Sequence, residues 1–155
     1  MPIHTHIENE IAEIIFDFPP VNAFNSKTWN DIPKVINDLG LRSDVKVILI
    51  RSEGKGFCAG VDIKELANDS NAIVSVNEGN FLTGQAIHHC EIPVIVAAHK
   101  FIIGGGVIMC GAADIVIASD DAYFALPEID RGAMGGASHL QRMLGVAKVR
   151  SAFLT

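Results

Sequence analysis

The chain has 155 residues, a formal net charge of −6, 49% hydrophobic residues and 14 glycines. That profile fits one folded domain over residues 1–155 with its own core, and it excludes a disordered segment. The acidic balance argues against nucleic acid or an anionic membrane as partner, while leaving room for a phosphate held by local donors.

Three cysteines (Cys58, Cys90 and Cys110) lack metal-ligand spacing and do not make a disulfide framework, so no metal site is expected and a reducing, cytoplasmic setting is. The opening residues carry no signal-peptide pattern, and no apolar run has spanning length. In chain order, two β-prone runs flank an Asn9-Glu10 turn, Thr5 to Glu8 and Ile11 to Phe18, and Pro19-Pro20 ends the second. Ser26 is the expected N-cap of a helix through Leu39, in which Trp29, Ile32, Ile36 and Leu39 keep helical spacing. Pro33 interrupts that helix and Gly40 suits its C-cap. Val45 to Ile50 predicts a buried strand, 52–60 a glycine loop, Asp62 to Ala67 a short helix, and Asn68 to Ser75 an irregular stretch.

A helix is expected over Asn77 to Cys90, then a strand over Val94 to Ala98. Gly104-Gly105-Gly106 precedes a helix of small residues, Val107 to Ala113. Strands follow over Asp114 to Ala118 and Ala122 to Ala125, then a glycine-rich loop from Pro127 and helices over Ala137 to Leu144 and Ala147 to Leu154. The alternation predicts an α/β class. Phe153 and Leu154 close an unfinished helix, so a further C-terminal portion is expected.

Three loops carry chemistry. Gly56 to Asp62 combines small residues, which admit a ligand to the main chain, with a helix start whose N–H groups favour negative charge; the same residues also suit a plain strand-to-helix turn. Gly104-Gly105-Gly106 presents a second helix N-terminus free of side chains, although small residues also serve tight helix packing. It matches neither the P-loop nor the dinucleotide pattern. Leu126 to Gly132 carries Glu128 and Asp130, candidate proton carriers if burial raises their pKa, or a solvated turn paired to Arg131. His139, with an ordinary pKa of about 6.5, could do acid/base work near the same pocket or sit as a surface histidine at a helix start. Cys58, His4, His6, His88 and His89 offer no catalytic or metal-binding pattern.

Together, Pro20-Val21-Asn22-Ala23-Phe24, Gly56 to Glu65 (GFCAGVDIKE), Pro93 to Ala98, Gly104 to Gly106, Asp114 to Ala118 and Phe124 to Glu128 resemble the enoyl-CoA hydratase/isomerase, or crotonase, superfamily in order and spacing. The resemblance implies a crotonase-like spiral of ββα units. Its C-terminal helical trimerisation segment has no counterpart here. It also implies an acyl-CoA thioester substrate, with coenzyme A as part of the substrate and no bound cofactor, and a homotrimer or hexamer when full length.

By position, the N–H groups of Val61 and Gly105 would form an oxyanion hole. Ala23, Phe24, Ala59, Asp62, Lys64 and Gly104 would fall along the CoA path. Hydratases of the family hold water between two glutamates. Glu128 matches one, but Ile108 stands where the other would be. The family's proline in the next loop is Gly135 here, and its later glycine pair is Ser138-His139. A single acid fits isomerisation, retro-Claisen ring opening or thioester hydrolysis. The motifs most resemble the branch that hydrolyses cyclic β-keto acyl-CoA in steroid ring breakdown, with Glu128 moving the proton and Asp130 or His139 in support. The alternatives are an enoyl-CoA hydratase of fatty-acid β-oxidation and a non-catalytic acyl-CoA scaffold.

Overall fold

A computed structural model describes residues 3–131 and 135–154. Strand β1 (Ile3–Glu8) pairs antiparallel with β2 (Ile11–Phe16) through a two-residue turn in which Asn9 and Glu10 both have positive φ, the geometry that matches the right-handed twist of a hairpin. Parallel to β2 run β4 (Val47–Ser52), β6 (Val94–Ala98) and β8 (Ile115–Ala118), giving a five-stranded sheet in the order β1-β2-β4-β6-β8. Ile14 pairs with Ile50 and Ile50 with Val96, so one row of β-branched side chains crosses the sheet. Alternate residues of β2, β4 and β6 are buried, as period-2 patterning requires.

Between the strands of this sheet lie four short ones that sequence periodicity does not resolve well: β3 (Ala23–Phe24), β5 (Gly60–Val61), β7 (Phe101–Ile103) and β9 (Tyr123–Ala125). β3 pairs with β5 and β7 with β9, all parallel, and a bridge between Cys58 and Ile102 links the two pairs. The chain therefore repeats one unit: a strand for the large sheet, a strand for the small layer, then helix. Helix α1 (Ser26–Gly40) closes the first repeat, α2 (Ile63–Asn68) and α3 (Ala72–His88) the second, and α4 (Gly105–Ala112) the third. The fourth ends in a 3-10 turn (Pro127–Arg131), followed by α5 (Ala137–Met143) and α6 (Val146–Leu154).

Several boundaries differ from the sequence reading by a residue or more, and two of these shifts have a clear physical cause. Asn25, not Ser26, caps α1: its side chain accepts from the Thr28 amide, because the reach from the cap to the third helical N–H favours Asn one residue earlier. Residues 72–75, expected to be irregular, already belong to α3, because Ala72 and Val76 bury against the core despite their polar neighbours. Pro33 stays inside α1 and is buried there.

The core is one cluster. An aromatic column runs through it, with Phe57 edge-on to Phe16 (6.4 Å), Phe16 against Phe24 (5.0 Å) and Phe24 edge-on to Trp29 (5.2 Å). Helix α1 packs on α3, α3 on α4 and α4 on α5. Gly79 lets α3 approach closely: a β-carbon there would stand 2.7 Å from the Trp29 backbone. The C-terminal end of this column delivers Trp29 to the start of α4.

Candidate active site

The loop carrying Gly56 to Val61 is clamped from three sides. Buried Asn22 donates from Nδ2 to the carbonyls of Glu53 and Gly56, both at 2.8 Å, while its Oδ1 accepts from the Phe18 amide. The amide of Ala59 donates to the Asn22 carbonyl, and that of Asp62 to Phe24. On the far side Cys58 exchanges hydrogen bonds with β7, through Cys58 N to Phe101 O and Ile103 N to Cys58 O. Asn22 is the residue of the Pro20–Phe24 motif whose side chain does this work, while Ala23 and Phe24 hold the loop through their backbone, and the burial of Asn22 gives the motif a physical reason.

These clamps bring Gly60 against the turn between β7 and α4. Gly60 has φ +85°, and a β-carbon there would lie 3.3 Å from the Ile103 carbonyl oxygen and 3.9 Å from Gly104 Cα. Gly104 itself has φ +55° and ψ −113°, a conformation that a side chain would resist. Gly105 is the first residue of α4, so its N–H has no carbonyl four residues back to bond, and no side chain caps this helix. The backbone segments bearing Val61 and Gly105 thus adjoin.

Glu128 reaches the same turn. A β-carbon on Gly104 would lie 2.8 Å from its Oε1, and its Oε2 is buried with no hydrogen-bond partner. Burial raises the Glu128 carboxyl above its ordinary value of 4.5, opposed only by a smaller contribution from its own amide. At the next residue, a β-carbon on Gly105 would collide with Trp29 Cη2 at 2.3 Å and Asn80 Oδ1 at 2.4 Å. The sequence places Trp29 in the helical core pattern but gives neither it nor Asn80 a role at the site. Asn80 lies on the buried face of α3 with Val76, Thr83, Gly84 and Ile87.

The other expected residues are dispersed. Asp130 is exposed on the 3-10 turn; its proposed pairing with the Arg131 side chain, and Gly132, lie outside the described residues. His139 is half-buried between helices. Its Nε2 stands 2.9 Å from where a Gly84 β-carbon would be, Ile108 Cγ2 is 3.2 Å from the same point, and its carbonyl packs on Gly111. Its neighbours therefore lie along α4 beyond the turn that Glu128 touches. Burial first, then Arg142 and His88, hold its pKa below 6.5.

Asp62 caps α2 by accepting from the Lys64 amide, and the Lys64 side chain is exposed. Ala23 and Ala59 are partly buried in the small strand layer, and Phe24 is fully buried in the aromatic column. Glu65, from the GFCAGVDIKE motif, binds the Ser26 amide at 2.7 Å and its hydroxyl at 2.6 Å, tying α2 to the start of α1.

Cys58 and Cys110 are buried thiols pushed up to about 12 by desolvation, which removes them as nucleophiles. Surface clefts of about 670, 430 and 380 Å³ lie against other elements, and Glu128, Gly104 and Gly105 line none of them. Among the described residues no group of three or more His, Cys, Asp or Glu side chains is placed to hold a metal, and no helix is long and apolar enough to cross a membrane.

A ββα spiral that sets a glycine helix start beside a half-buried carboxylate has the architecture of a crotonase-type α/β protein. The sequence pattern of the enoyl-CoA hydratase/isomerase family matches residues 6–155, and the chain belongs to that family. It is 42% identical over its whole length to a (7aS)-7a-methyl-1,5-dioxo-2,3,5,6,7,7a-hexahydro-1H-indene-carboxyl-CoA hydrolase of Mycobacterium tuberculosis, and 44% identical over 94% of its length to the enzyme of the same name from Rhodococcus jostii. It spans 64% and 57% of the lengths of those two relatives. An enoyl-CoA hydratase/isomerase from Marinobacter aquaeolei shares the fold with a TM-score of 0.89 at 21% identity, over 99% of this chain and 62% of that one.

Proposed function

We propose that the whole protein opens the ring of a cyclic β-keto acyl-CoA by hydrolysing a C–C bond, using Glu128 as its proton carrier. The observation that carries this is the Glu128 carboxylate seated at the Gly104–Gly105 turn, with Ile108 where a second acid would be needed to hold water for hydration. The name borne by the relatives at 42% and 44% identity supports the same class of substrate.

In this reading water adds to the ring ketone β to the thioester, forming a C–O bond as Glu128 takes the proton. The tetrahedral alkoxide collapses and the Cα–Cβ bond breaks. Its electron pair passes into the thioester as an enolate, whose oxygen is held by the amides of Val61 and Gly105. Glu128 then returns the proton to Cα. One water is consumed, a carboxylate is released on the opened ring, and the CoA thioester survives. Two fixed donors stabilise charge as it develops, and losing one typically costs about 10²–10³ in turnover. Lys64 and Asp62 stand at the α2 end for the CoA moiety, and a trimer or hexamer would be the working assembly.

Incubation of the whole protein with a cyclic β-keto acyl-CoA should yield a product heavier by one water with CoA still attached. Rapid hydration of crotonyl-CoA without ring opening would overturn the reading in favour of a hydratase.

A further inference from the structure

Among the described residues, three buried side-chain atoms lack any hydrogen-bond partner: Trp29 Nε1, Asn80 Oδ1 and Glu128 Oε2. All three belong to residues that meet at the Gly104–Gly105 turn, Glu128 touching it at Gly104, and Trp29 and Asn80 at Gly105. Asn80 is only 8% exposed. Its amide orientation is fixed, because Nδ2 donates to the Val76 carbonyl at 2.9 Å, and a flipped amide would set two acceptors against each other. Oδ1 therefore faces Gly105 as an acceptor. Leaving such an atom unsatisfied costs about 1–3 kcal/mol, so a donor is expected to meet it.

We propose that Asn80 is the water-positioning residue of this site: Asn80 Oδ1 and Glu128 Oε2 together hold the water that is added to substrate. The proposal rests on the ring-opening reading above and deepens it. Cα atoms of consecutive residues are about 3.8 Å apart, so acceptors bearing on Gly104 and Gly105 flank a single peptide unit. Two acceptors match the two O–H groups of a water, and the third unpaired atom, the Trp29 indole Nε1, is a donor suited to its oxygen. Ile108 cannot supply the second acceptor, and Asn80 does so from another helix. The substitution of amide for carboxylate has a chemical consequence. An amide oxygen orients an O–H without taking its proton, so the water's proton has one destination, Glu128. A site with one base and one neutral acceptor suits hydrolysis, in which the same acid later protonates the enolate carbon.

The test uses the whole protein and the variants Asn80→Leu and Asn80→Asp. A crystal structure of the wild type should show a water within hydrogen-bond distance of both Asn80 Oδ1 and Glu128 Oε2. Asn80→Leu should lose that water and lower kcat for ring opening about 10²-fold, the size of a misplaced reactant, with KM little changed. Exchange of the Cα proton of the ring-opened thioester in D2O needs Glu128 and the enolate site but no added water, and should persist in Asn80→Leu. Asn80→Asp keeps the acceptor towards Gly105 and should retain the water and measurable ring opening, although its second oxygen faces the Val76 carbonyl and lowers stability; if neither variant folds, the water in the wild-type crystal structure decides the matter. A wild-type structure with no water on these two atoms overturns the proposal. So does undiminished ring opening by Asn80→Leu, or a parallel loss of ring opening and proton exchange, which marks a purely structural role. If wild type binds the water but opens no ring, the reaction assignment fails and the water site stands.

Discussion

Glu128 reaches Gly104 so closely that a single methyl group on Gly104 would stand 2.8 Å from the Glu128 carboxylate oxygen. The contact ties a 3-10 turn late in the chain to the helix start that presents the Gly105 amide. It also explains why the carboxylate is buried enough for its charged form to be disfavoured.

Glu128→Gln in the whole protein should lower ring opening by about 10²–10⁴-fold while CoA-thioester binding persists, because an amide cannot carry the proton. Unchanged turnover with retained binding would instead indicate that the site binds acyl-CoA without using Glu128 in catalysis. The wild-type rate should rise with pH through the Glu128 pKa, at a position above 4.5, as the base ionises.

The same shift has a stability consequence. Because the folded-state pKa is raised, Glu128 favours the folded state fully only below about pH 4.5, and that contribution is lost as pH rises through its folded value. Removing the charge should therefore leave the variant as stable as wild type, or more so, at pH 8. A thermal melt that falls by more than about 4 °C, roughly 1–2 kcal/mol for a domain of this size, would contradict this.

Gly105→Ala should be costly for the fold as well as the site. The new methyl would meet the rigid Trp29 ring at 2.3 Å, with the ring held from behind by Phe24. Overpacking of this kind typically costs about 1–3 kcal/mol. Denaturant titration should show that loss, whereas Gly145→Ala, which meets nothing within 4 Å, should shift the midpoint little.

His139 should remain neutral at pH 7, since burial and the neighbouring Arg142 and His88 depress its pKa. For a depressed histidine the stabilising contribution is present above about pH 6.5 and is lost as pH falls through the folded value. His139→Gln should flatten the decline in stability below pH 6.5. An identical decline in the variant would assign the acid sensitivity to other groups.

The thiols should divide by burial. Cys90 is partly exposed, whereas Cys58 and Cys110 are buried and pushed up to about 12. Iodoacetamide at pH 8 should label Cys90 alone in the native protein and all three after unfolding. Native labelling of Cys58 would show that the first glycine loop opens.

Much of this protein is written locally. The runs over Ile11–Phe16, Val47–Ser52 and Val94–Ala98 declare a buried parallel sheet because β-branched residues fill them, and the glycines at 60, 104 and 105 declare close backbone approach, the first two through positive φ and the third because a β-carbon would strike Trp29. The order of the glycine loops and Glu128 was enough to place the chain in its family. Other features required the folded molecule. A two-residue strand such as β5 has no period to detect, and it exists only because Asn22 and β7 grip it from either side. The surroundings of His139 were set by how α5 packs on Gly84 and Gly111, not by its distance in sequence from Glu128. Asn80 reads as one more polar residue beside Asn77, Glu78 and Thr83 until α3 lies across α4. Only then does its oxygen stand beside Gly105, because pairwise contact between helices depends on packing that neither segment encodes alone.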